Sequence, residues 1–217
     1  MFGERVKRRS VDFHLCDECR GGILPPPEHL CPMCSHPMIG MMTCTNCNGR
    51  RWHLTGIIAA CRYEGVGGEL IKRFKYGRDP TLSPVLGDLL FTATGDPRIA
   101  GKTFDAIVPV PLHPLRERER EFNQSALLAT RLGKHLGLPV DHLLRRIRDT
   151  APQAGLDRAG RMRNLQGAFA LRKPPSEGGT MLLVDDVTTT GATLDTCAAV
   201  LREAGAAEVC AVVVARG

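Results

Sequence analysis

The sequence is poor in aromatic side chains and has no long apolar run. Phe, Tyr and Trp make up 5% of its 217 residues, which leaves few surfaces on which nucleic-acid bases could stack. No stretch approaches the roughly 18 apolar residues needed to cross a bilayer. The segment 1–12 is charged, whereas a signal peptide would be apolar. We therefore expect a cytoplasmic protein with no membrane insertion.

Two common nucleotide-binding signatures are also missing. The sequence contains neither a Gly-x-x-x-x-Gly-Lys-Ser/Thr loop nor a Gly-x-Gly-x-x-Gly fingerprint. The hydrophobic fraction of 43% nevertheless supports a real core, and the length suits one substantial domain with a small appendage. The net charge of +6 is compatible with phosphorylated or nucleic-acid partners.

The amino-terminal part of the chain is built around paired cysteines. It contains three Cys-x-x-Cys pairs, which are Cys16 and Cys19, Cys31 and Cys34, and Cys44 and Cys47. A segment so short cannot bury a core of its own, but a zinc ion held by four thiolates would supply the missing folding energy. Because no signal peptide precedes it, we favour metal binding over disulfides.

Two arrangements of these cysteines are open. The preferred zinc site combines the second and third pairs, which are Cys31, Cys34, Cys44 and Cys47. Cys16 and Cys19 are then half a site, which His14, His29 or Cys61 could complete. The competing arrangement joins the first pair to the second, and its spacing is equally permissible.

The stretch 181–194 joins an apolar run to a loop of hydroxyl side chains. Its first part predicts a buried parallel strand that ends at Asp185 and Asp186, and its last part begins a helix that Gly205 would end. The residues between them would hold a phosphate at the positive end of the helix dipole. They are Thr188, Thr189, Thr190, Gly191, Ala192 and Thr193. The two carboxylates could hold ribose hydroxyls or a divalent cation. The plain alternative is an N-capped helix beside solvated acids.

Strand and helix patterns alternate along the rest of the chain. Strands are predicted at 57–61, 104–111, 142–147, 169–171 and 209–214, and helices around 70–75, 82–94 and 122–136. In the first helix, Leu70, Ile71 and Phe74 would face the core, with Lys72, Arg73 and Lys75 on the other side. Such alternation predicts an α/β fold with a mostly parallel sheet flanked by helices.

Several short motifs together resemble the ComF family. They are Tyr63-Glu64-Gly65, Lys75-Tyr76-Gly77-Arg78-Asp79, Val108-Pro109-Val110-Pro111-Leu112, Arg120-Glu121-Phe122-Asn123-Gln124, Pro152-Gln153-Ala154-Gly155-Leu156 and the loop 184–193. The resemblance implies an amino-terminal zinc ribbon over residues 1–52 and a type I phosphoribosyltransferase domain over 53–217. Two features depart from the family pattern: one Cys-x-x-Cys pair is missing, and Glu121 stands where the family has glycine.

The same resemblance implies a ligand and its contacts. Phosphoribosyl diphosphate would bind with Mg²⁺, with Asp185 and Asp186 as the catalytic acids and the loop 188–193 on the 5-phosphate. Arg116, Arg118 and Arg120 would bind the pyrophosphate, although they could equally form a solvated salt-bridge face with the intervening glutamates. The segment 148–167 would be a mobile hood over the reaction centre or a surface loop that grips nucleic acid.

Three functions of different classes are compatible with these features. The first is a Mg²⁺-dependent transferase acting on phosphoribosyl diphosphate, for which no acceptor can be identified. The second is a single-stranded DNA uptake factor that keeps the ligand site for binding alone. The third is a regulator that senses phosphoribosyl diphosphate. The resemblance further implies single-stranded DNA and a competence helicase as partners in natural transformation.

Overall fold

A four-stranded parallel sheet forms the centre of the molecule. The computed structural model describes residues 15–38, 40, 43–150, 160 and 164–217. The strands of the sheet are β1 (Gly56–Arg62), β2 (Ala106–Pro109), β5 (Thr180–Thr188) and β6 (Glu208–Arg216). Their order across the sheet is β1-β6-β5-β2, and all three pairings are parallel. The predicted α/β fold with a mostly parallel sheet is confirmed.

Helices cover both faces of this sheet. The α-helices include α1 (Asp17–Gly21), α2 (Gly65–Tyr76), α3 (Ser83–Ala93), α4 (Pro114–Arg120), α5 (Gln124–Leu136) and α6 (Ala192–Glu203). One face packs on α2, α3 and α5 through residues such as Phe74, Leu86 and Leu128. The other face packs on α6 through residues such as Leu194 and Leu201. Because both faces are covered, the strands are apolar along most of their length.

Two predicted strands lie outside this sheet. β3 (Leu144–Arg146) and β4 (Phe169–Leu171) pair with each other in an antiparallel ribbon. Phe169 and Leu144 anchor the ribbon to the same core as α6. Sequence patterning identified both strands but could not tell that they pair separately, since three-residue strands carry too little periodicity to specify a partner.

The strand that carries the acids is longer than predicted. β5 continues through Asp185 and Asp186 to Thr188, because β6 provides a pairing partner as far as Arg216. The prediction that the strand ends at the two acids was therefore wrong. β2 pairs with β5 only as far as Val184, so the acids still project beyond their shorter neighbour.

The described residues of the segment 31–52, which we call the cysteine segment, pack directly on the sheet. Cys31, Cys34 and Cys44 are buried in the same core as β5 and α6. Ile57 of β1 donates its backbone N–H to Met33 O at 2.8 Å, so β1 continues its hydrogen bonding into the segment. The division of the chain at residues 52 and 53 stays a prediction. Across the described ranges, no helix combines the length and apolar character that a membrane crossing requires.

Candidate ligand site and metal centre

The two acids lie at the carboxyl edge of the sheet, on opposite faces of β5. Successive side chains of a strand alternate between faces. Asp186 accordingly turns toward α2, and Asp185 turns toward the side of Cys197 in α6 and Arg146 in β3. In open parallel sheets this edge is where ligands bind. Both acids therefore lie at the carboxyl edge of the sheet, beyond the end of β2.

Asp185 is half-buried and is held by two hydrogen bonds. Ser125 Oγ donates to Asp185 Oδ1 at 2.8 Å, and the backbone N–H of Asp186 donates to the same oxygen at 2.9 Å. Burial, followed by the neighbouring Asp186 charge, raises the pKa of Asp185 to about 7. The Lys75 ammonium acts in the opposite direction but does not cancel the shift. Asp185 can therefore change its charge near neutral pH.

Asp186 forms a buried ion pair with Lys75. The Lys75 Nζ lies 2.8 Å from Asp186 Oδ1, and the two side chains are 16% and 7% exposed. Burial works against the ammonium, but the charge and hydrogen bond of Asp186 raise the pKa of Lys75. Lys75 was predicted to lie on the solvent side of its helix, and this was wrong. It lies at the last turn of α2, where its long side chain reaches the sheet edge.

The loop 188–193, which we call the phosphate loop, turns β5 into α6. Gly191 has φ +75°, and a Cβ placed on it would lie 2.8 Å from Trp52 Cη2. Both facts require glycine at this position. Thr190 Oγ1 accepts from the backbone N–H of Ala192, the first residue of α6, at 3.3 Å, and the N-cap residue of the helix is Gly191. The loop thus has the features of an anion site at a helix amino terminus.

A second turn faces the same edge of the sheet. Asn123 Oδ1 accepts from the backbone N–H groups of Ser125 and Ala126, so Asn123 caps α5. Its Nδ2 also donates to Val110 O at 3.1 Å. Asn123 therefore ties the amino terminus of α5 to the turn that follows β2, and it places Ser125 within reach of Asp185.

The three arginines predicted to bind pyrophosphate lie on α4, beside this turn. Arg116 pairs with Glu119 at 3.0 Å, as the salt-bridge alternative expects. Arg120 donates to Gln124 Oε1 at 3.1 Å and lies 5.5 Å from the centroid of the Tyr76 ring. Arg118 is exposed. Their role in binding pyrophosphate stays a prediction.

Glu121 stands at the position where the resembled family has glycine, and the structure shows how the side chain fits there. It ends α4 with φ +70°, a left-handed conformation that glycine adopts at no cost. The Glu121 carboxylate points outward and lies 2.6 Å from Arg78 Nη1. Its side chain is 61% exposed, so the carboxylate stays away from the sheet edge. The substitution therefore strains the backbone without placing a charge against the ligand site.

A cavity of about 380 Å³ opens between the turn after β2 and the β3–β4 ribbon. Pro111, Leu112, Arg145 and Arg146 are among its lining residues. The Arg146 guanidinium donates to Thr150 Oγ1, and burial lowers the pKa of Arg146. The segment 148–167, predicted to be a hood or a nucleic-acid loop, lies largely outside the described residues, and Arg158, Arg161 and Arg163 lie wholly outside them.

Four cysteine sulfurs form a candidate metal centre. The Sγ atoms of Cys31, Cys34, Cys44 and Cys47 all lie within 4.8 Å of one another. Cys31 and Cys47 are 3.6 Å apart, and Cys34 and Cys44 are 3.7 Å apart. A tetrahedron with Zn–S bonds of about 2.3 Å has S···S edges of about 3.8 Å. The preferred combination of cysteines is the one brought together, and its donor set fits a structural zinc.

Arginines satisfy the backbone of the first metal turn. Arg216 donates to Cys34 O at 2.6 Å. Arg98 donates to Cys31 O at 3.3 Å and to Ser35 Oγ at 3.1 Å. Ser35 Oγ in turn donates to Ile57 O at 2.6 Å. The metal turn is thus joined to the sheet by hydrogen bonds as well as by apolar packing.

Cys16 and Cys19 lie apart from this centre. The backbone N–H of Cys19 donates to Cys16 Sγ at 3.4 Å at the start of α1. Within the described ranges, no third metal-binding side chain joins this pair. Cys61, one candidate to complete it, donates its thiol to Val214 O inside the sheet instead. His14 lies outside the described residues.

Sequence reasoning missed one hydroxyl and four charged side chains that support the site from other elements. They are Arg50, Lys75, Ser125, Arg146 and Asp195. Lys75 begins the motif Lys75-Tyr76-Gly77-Arg78-Asp79, and this was the sequence feature that could have indicated its place at the site. Arg50 and Asp195 gave none, because their pairing joins segments about 145 residues apart.

A family model matches the carboxyl-terminal part of the chain. The model of a family described as the phosphoribosyl transferase domain matches residues 123–217, which include α5, β5, the phosphate loop, α6 and β6. With the sheet topology, this match identifies a type I phosphoribosyltransferase-like fold. Among solved structures, the chain is similar to glutamine phosphoribosylpyrophosphate amidotransferase from B. subtilis, with 19% identity and a TM-score of 0.40. That similarity covers 69% of this chain and 26% of that one.

Curated relatives cover much more of the chain. It is 30% identical to competence protein ComFC of Bacillus subtilis (strain 168), over 90% of this chain and 81% of that protein. The chain belongs to the ComF family. This ComF-family chain is also 35% identical to the DNA utilization protein YhgH of Escherichia coli (strain K12), over 83% of this chain and 81% of that protein.

Proposed function

We propose that this chain binds phosphoribosyl diphosphate with Mg²⁺ and transfers the phosphoribosyl group to an acceptor during DNA uptake. The observation that carries the proposal is the continuous path from two carboxylates to the turn that begins α6. β5 presents Asp185 and Asp186 at the sheet edge and passes directly into the phosphate loop at the start of α6. Ribose hydroxyls and a 5-phosphate need these two kinds of donor and acceptor side by side.

The residues present can orient such a ligand. Asp185 and Asp186 can accept hydrogen bonds from ribose hydroxyls, and backbone N–H groups of the phosphate loop can donate to the 5-phosphate. The carboxylate oxygens also suit Mg²⁺, which would neutralise charge on the pyrophosphate. Displacement of pyrophosphate builds positive charge at the anomeric carbon. The contribution of the chain would be orientation of the ribose and exclusion of water.

Titration calorimetry with phosphoribosyl diphosphate, with and without Mg²⁺, tests the ligand assignment. We expect saturable binding that needs Mg²⁺, together with a rise in the unfolding midpoint, since a ligand that binds only the native state stabilises it. Steady-state release of pyrophosphate then tests turnover. Binding without release would contradict the transferase and favour a sensor or a binding factor. No binding at any Mg²⁺ concentration would contradict the site itself.

A second candidate function is binding of single-stranded DNA. The named relatives favour it, since one is a competence protein and the other a DNA utilization protein. The net charge of +6 allows phosphate contacts. We propose that these contacts lie outside the phosphate loop, on basic residues such as Arg158, Arg161 and Arg163. A competence helicase remains a proposed partner of the same process.

The salt dependence of oligonucleotide binding tests this second function. Replacing Arg158, Arg161 and Arg163 together with Ala should reduce the slope of log affinity against log salt by roughly 0.7 per lost phosphate contact. Affinity for phosphoribosyl diphosphate should stay largely intact. An unchanged slope would remove this segment from the DNA path, and joint loss of both ligands would indicate one shared site.

A further inference from the structure

One buried arginine connects the metal centre to the phosphate loop. The backbone N–H of Arg50 donates to Cys47 O at 3.0 Å, so Arg50 is fixed directly after the last metal-binding cysteine. Its side chain is 3% exposed and pairs with Asp195 of α6 at 3.1 Å. The guanidinium also donates to Thr190 O at 2.7 Å. A single side chain therefore contacts both the loop and the helix that follows it.

Two further residues of the same segment contact this part of the loop. Asn46, which lies between the metal-binding Cys44 and Cys47, donates its Nδ2 to Thr190 O at 3.4 Å. The Trp52 ring lies against Gly191, and the Arg50 guanidinium stacks over that ring at 3.4 Å from its centroid. The Thr190–Gly191 peptide is thus contacted from one side by three residues of the cysteine segment.

These contacts fix the direction in which one peptide group points. In a trans peptide the C=O and the following N–H point in opposite directions. Because the Thr190 carbonyl is held against Arg50 and Asn46, the Gly191 N–H points away from the cysteine segment. Glycine would otherwise let this peptide rotate with little penalty. A reversed peptide would place a carbonyl oxygen where a phosphate needs a donor.

We propose that Arg50 is a positioning residue that locks the Thr190–Gly191 peptide in its phosphate-binding orientation. Asn46 donates a second hydrogen bond to the same carbonyl, and Asp195 holds the guanidinium in place. The role toward the ligand rests on the proposed function. The metal centre is then a structural part of the ligand site, and its loss should weaken binding of phosphoribosyl diphosphate even though no cysteine touches the ligand.

Arg50→Met removes the hydrogen bond to Thr190 O and the ion pair with Asp195. Arg51→Met, at the exposed neighbouring position, is the matched control. In Arg50→Met we expect faster amide hydrogen exchange in a peptide covering 186–195, unchanged zinc content, and affinity for phosphoribosyl diphosphate at least about tenfold weaker. Arg50→Lys should recover part of this, since lysine can pair with Asp195 but lacks the forked donors. Arg51→Met should match the wild type in every measurement.

Trp52 provides an independent optical signal, because it is the only tryptophan in the chain. Its emission should change when phosphoribosyl diphosphate is added to the wild type, and the free Arg50→Met variant should differ from the free wild type. If Arg50→Met proves unstable because the Asp195 carboxylate loses its arginine partner and keeps its contacts with His53, Arg50→Met with Asp195→Asn removes both charges and serves the same test.

The outcomes separate this proposal from the proposed function. If amide hydrogen exchange in the 186–195 peptide is the same in Arg50→Met as in the wild type, Arg50 does not hold the Thr190–Gly191 peptide, whatever the ligand affinity. Faster exchange with unchanged affinity would overturn the positioning role. A wild type that fails to bind phosphoribosyl diphosphate would refute the proposed function, while the exchange measurement would still decide whether Arg50 orders the loop.

Discussion

Asp185→Asn is expected to abolish binding of phosphoribosyl diphosphate and, at the same time, to stabilise the free protein above neutral pH. The pKa of Asp185 is raised to about 7, so the native state holds its proton more tightly than the unfolded chain does. The carboxylate therefore costs stability as pH rises from the unfolded pKa toward 7, and the full cost is present above 7. Asparagine removes this cost, which is on the order of a few kcal/mol. Ser125 Oγ can still donate to the amide oxygen.

Chemical denaturation at pH 5 and pH 8 measures this effect, with calorimetry for the ligand. The difference in unfolding free energy between variant and wild type should be large at pH 8 and smaller at pH 5. Asp186→Asn is the matched comparison, because it leaves the buried Lys75 ammonium unpaired and should destabilise by about 3 kcal/mol or more. If Asp185→Asn and Asp186→Asn change the unfolding free energy equally and in the same direction, the different roles of the two acids are contradicted. If the variant with both substitutions binds phosphoribosyl diphosphate with unchanged affinity, the site assignment is contradicted.

Cys34→Ser is expected to release the metal and to lower both stability and ligand affinity. Purified wild-type protein should contain one zinc per chain, because four cysteine sulfurs, three of them from buried residues, converge at one point among the described residues. Loss of one thiolate leaves an incomplete tetrahedron. Since the metal turns share a core with β5 and α6, the unfolding midpoint should fall with the zinc content.

Metal analysis of purified protein checks this count, and Cys197→Ala serves as the control. Cys197 is buried in α6 outside the cysteine cluster, so its variant should retain one zinc even if packing is weakened. Two zincs in the wild type would indicate that Cys16 and Cys19 complete a second site. A metal-free wild type, or a Cys34→Ser variant that keeps full zinc, would refute the assignment.

Patterns in the sequence predicted the helices and strands that carry strong periodicity. α2 and α5 show helical spacing over three turns, and the apolar run before Asp185 is typical of a buried parallel strand. The cysteine spacing also predicted which four sulfurs meet, although it permitted a second arrangement. These features are local, so neighbouring residues suffice to specify them.

Other features depend on partners that lie far away in the sequence. The extra length of β5 arises because β6 pairs with it as far as Thr188. The burial of Lys75 depends on Asp186, and that of Arg50 depends on Asp195. A charged residue on a helical pattern is by default assigned to solvent, and only the tertiary fold reveals the countercharge that allows its burial.

The central position of β6 in the sheet has a consequence for synthesis of the chain. β1 pairs in the sheet only with β6, the last strand in chain order, so the ribosome releases β1 long before its partner exists. During this interval the apolar strand is open to aggregation. The neighbours of β1 that are made before it include the turn at Met33, which hydrogen-bonds Ile57, and Leu24, whose carbonyl accepts from the Arg62 N–H at 3.0 Å. Cells starved of zinc during translation should therefore accumulate this protein in insoluble form, whereas zinc restored after synthesis should rescue little of it.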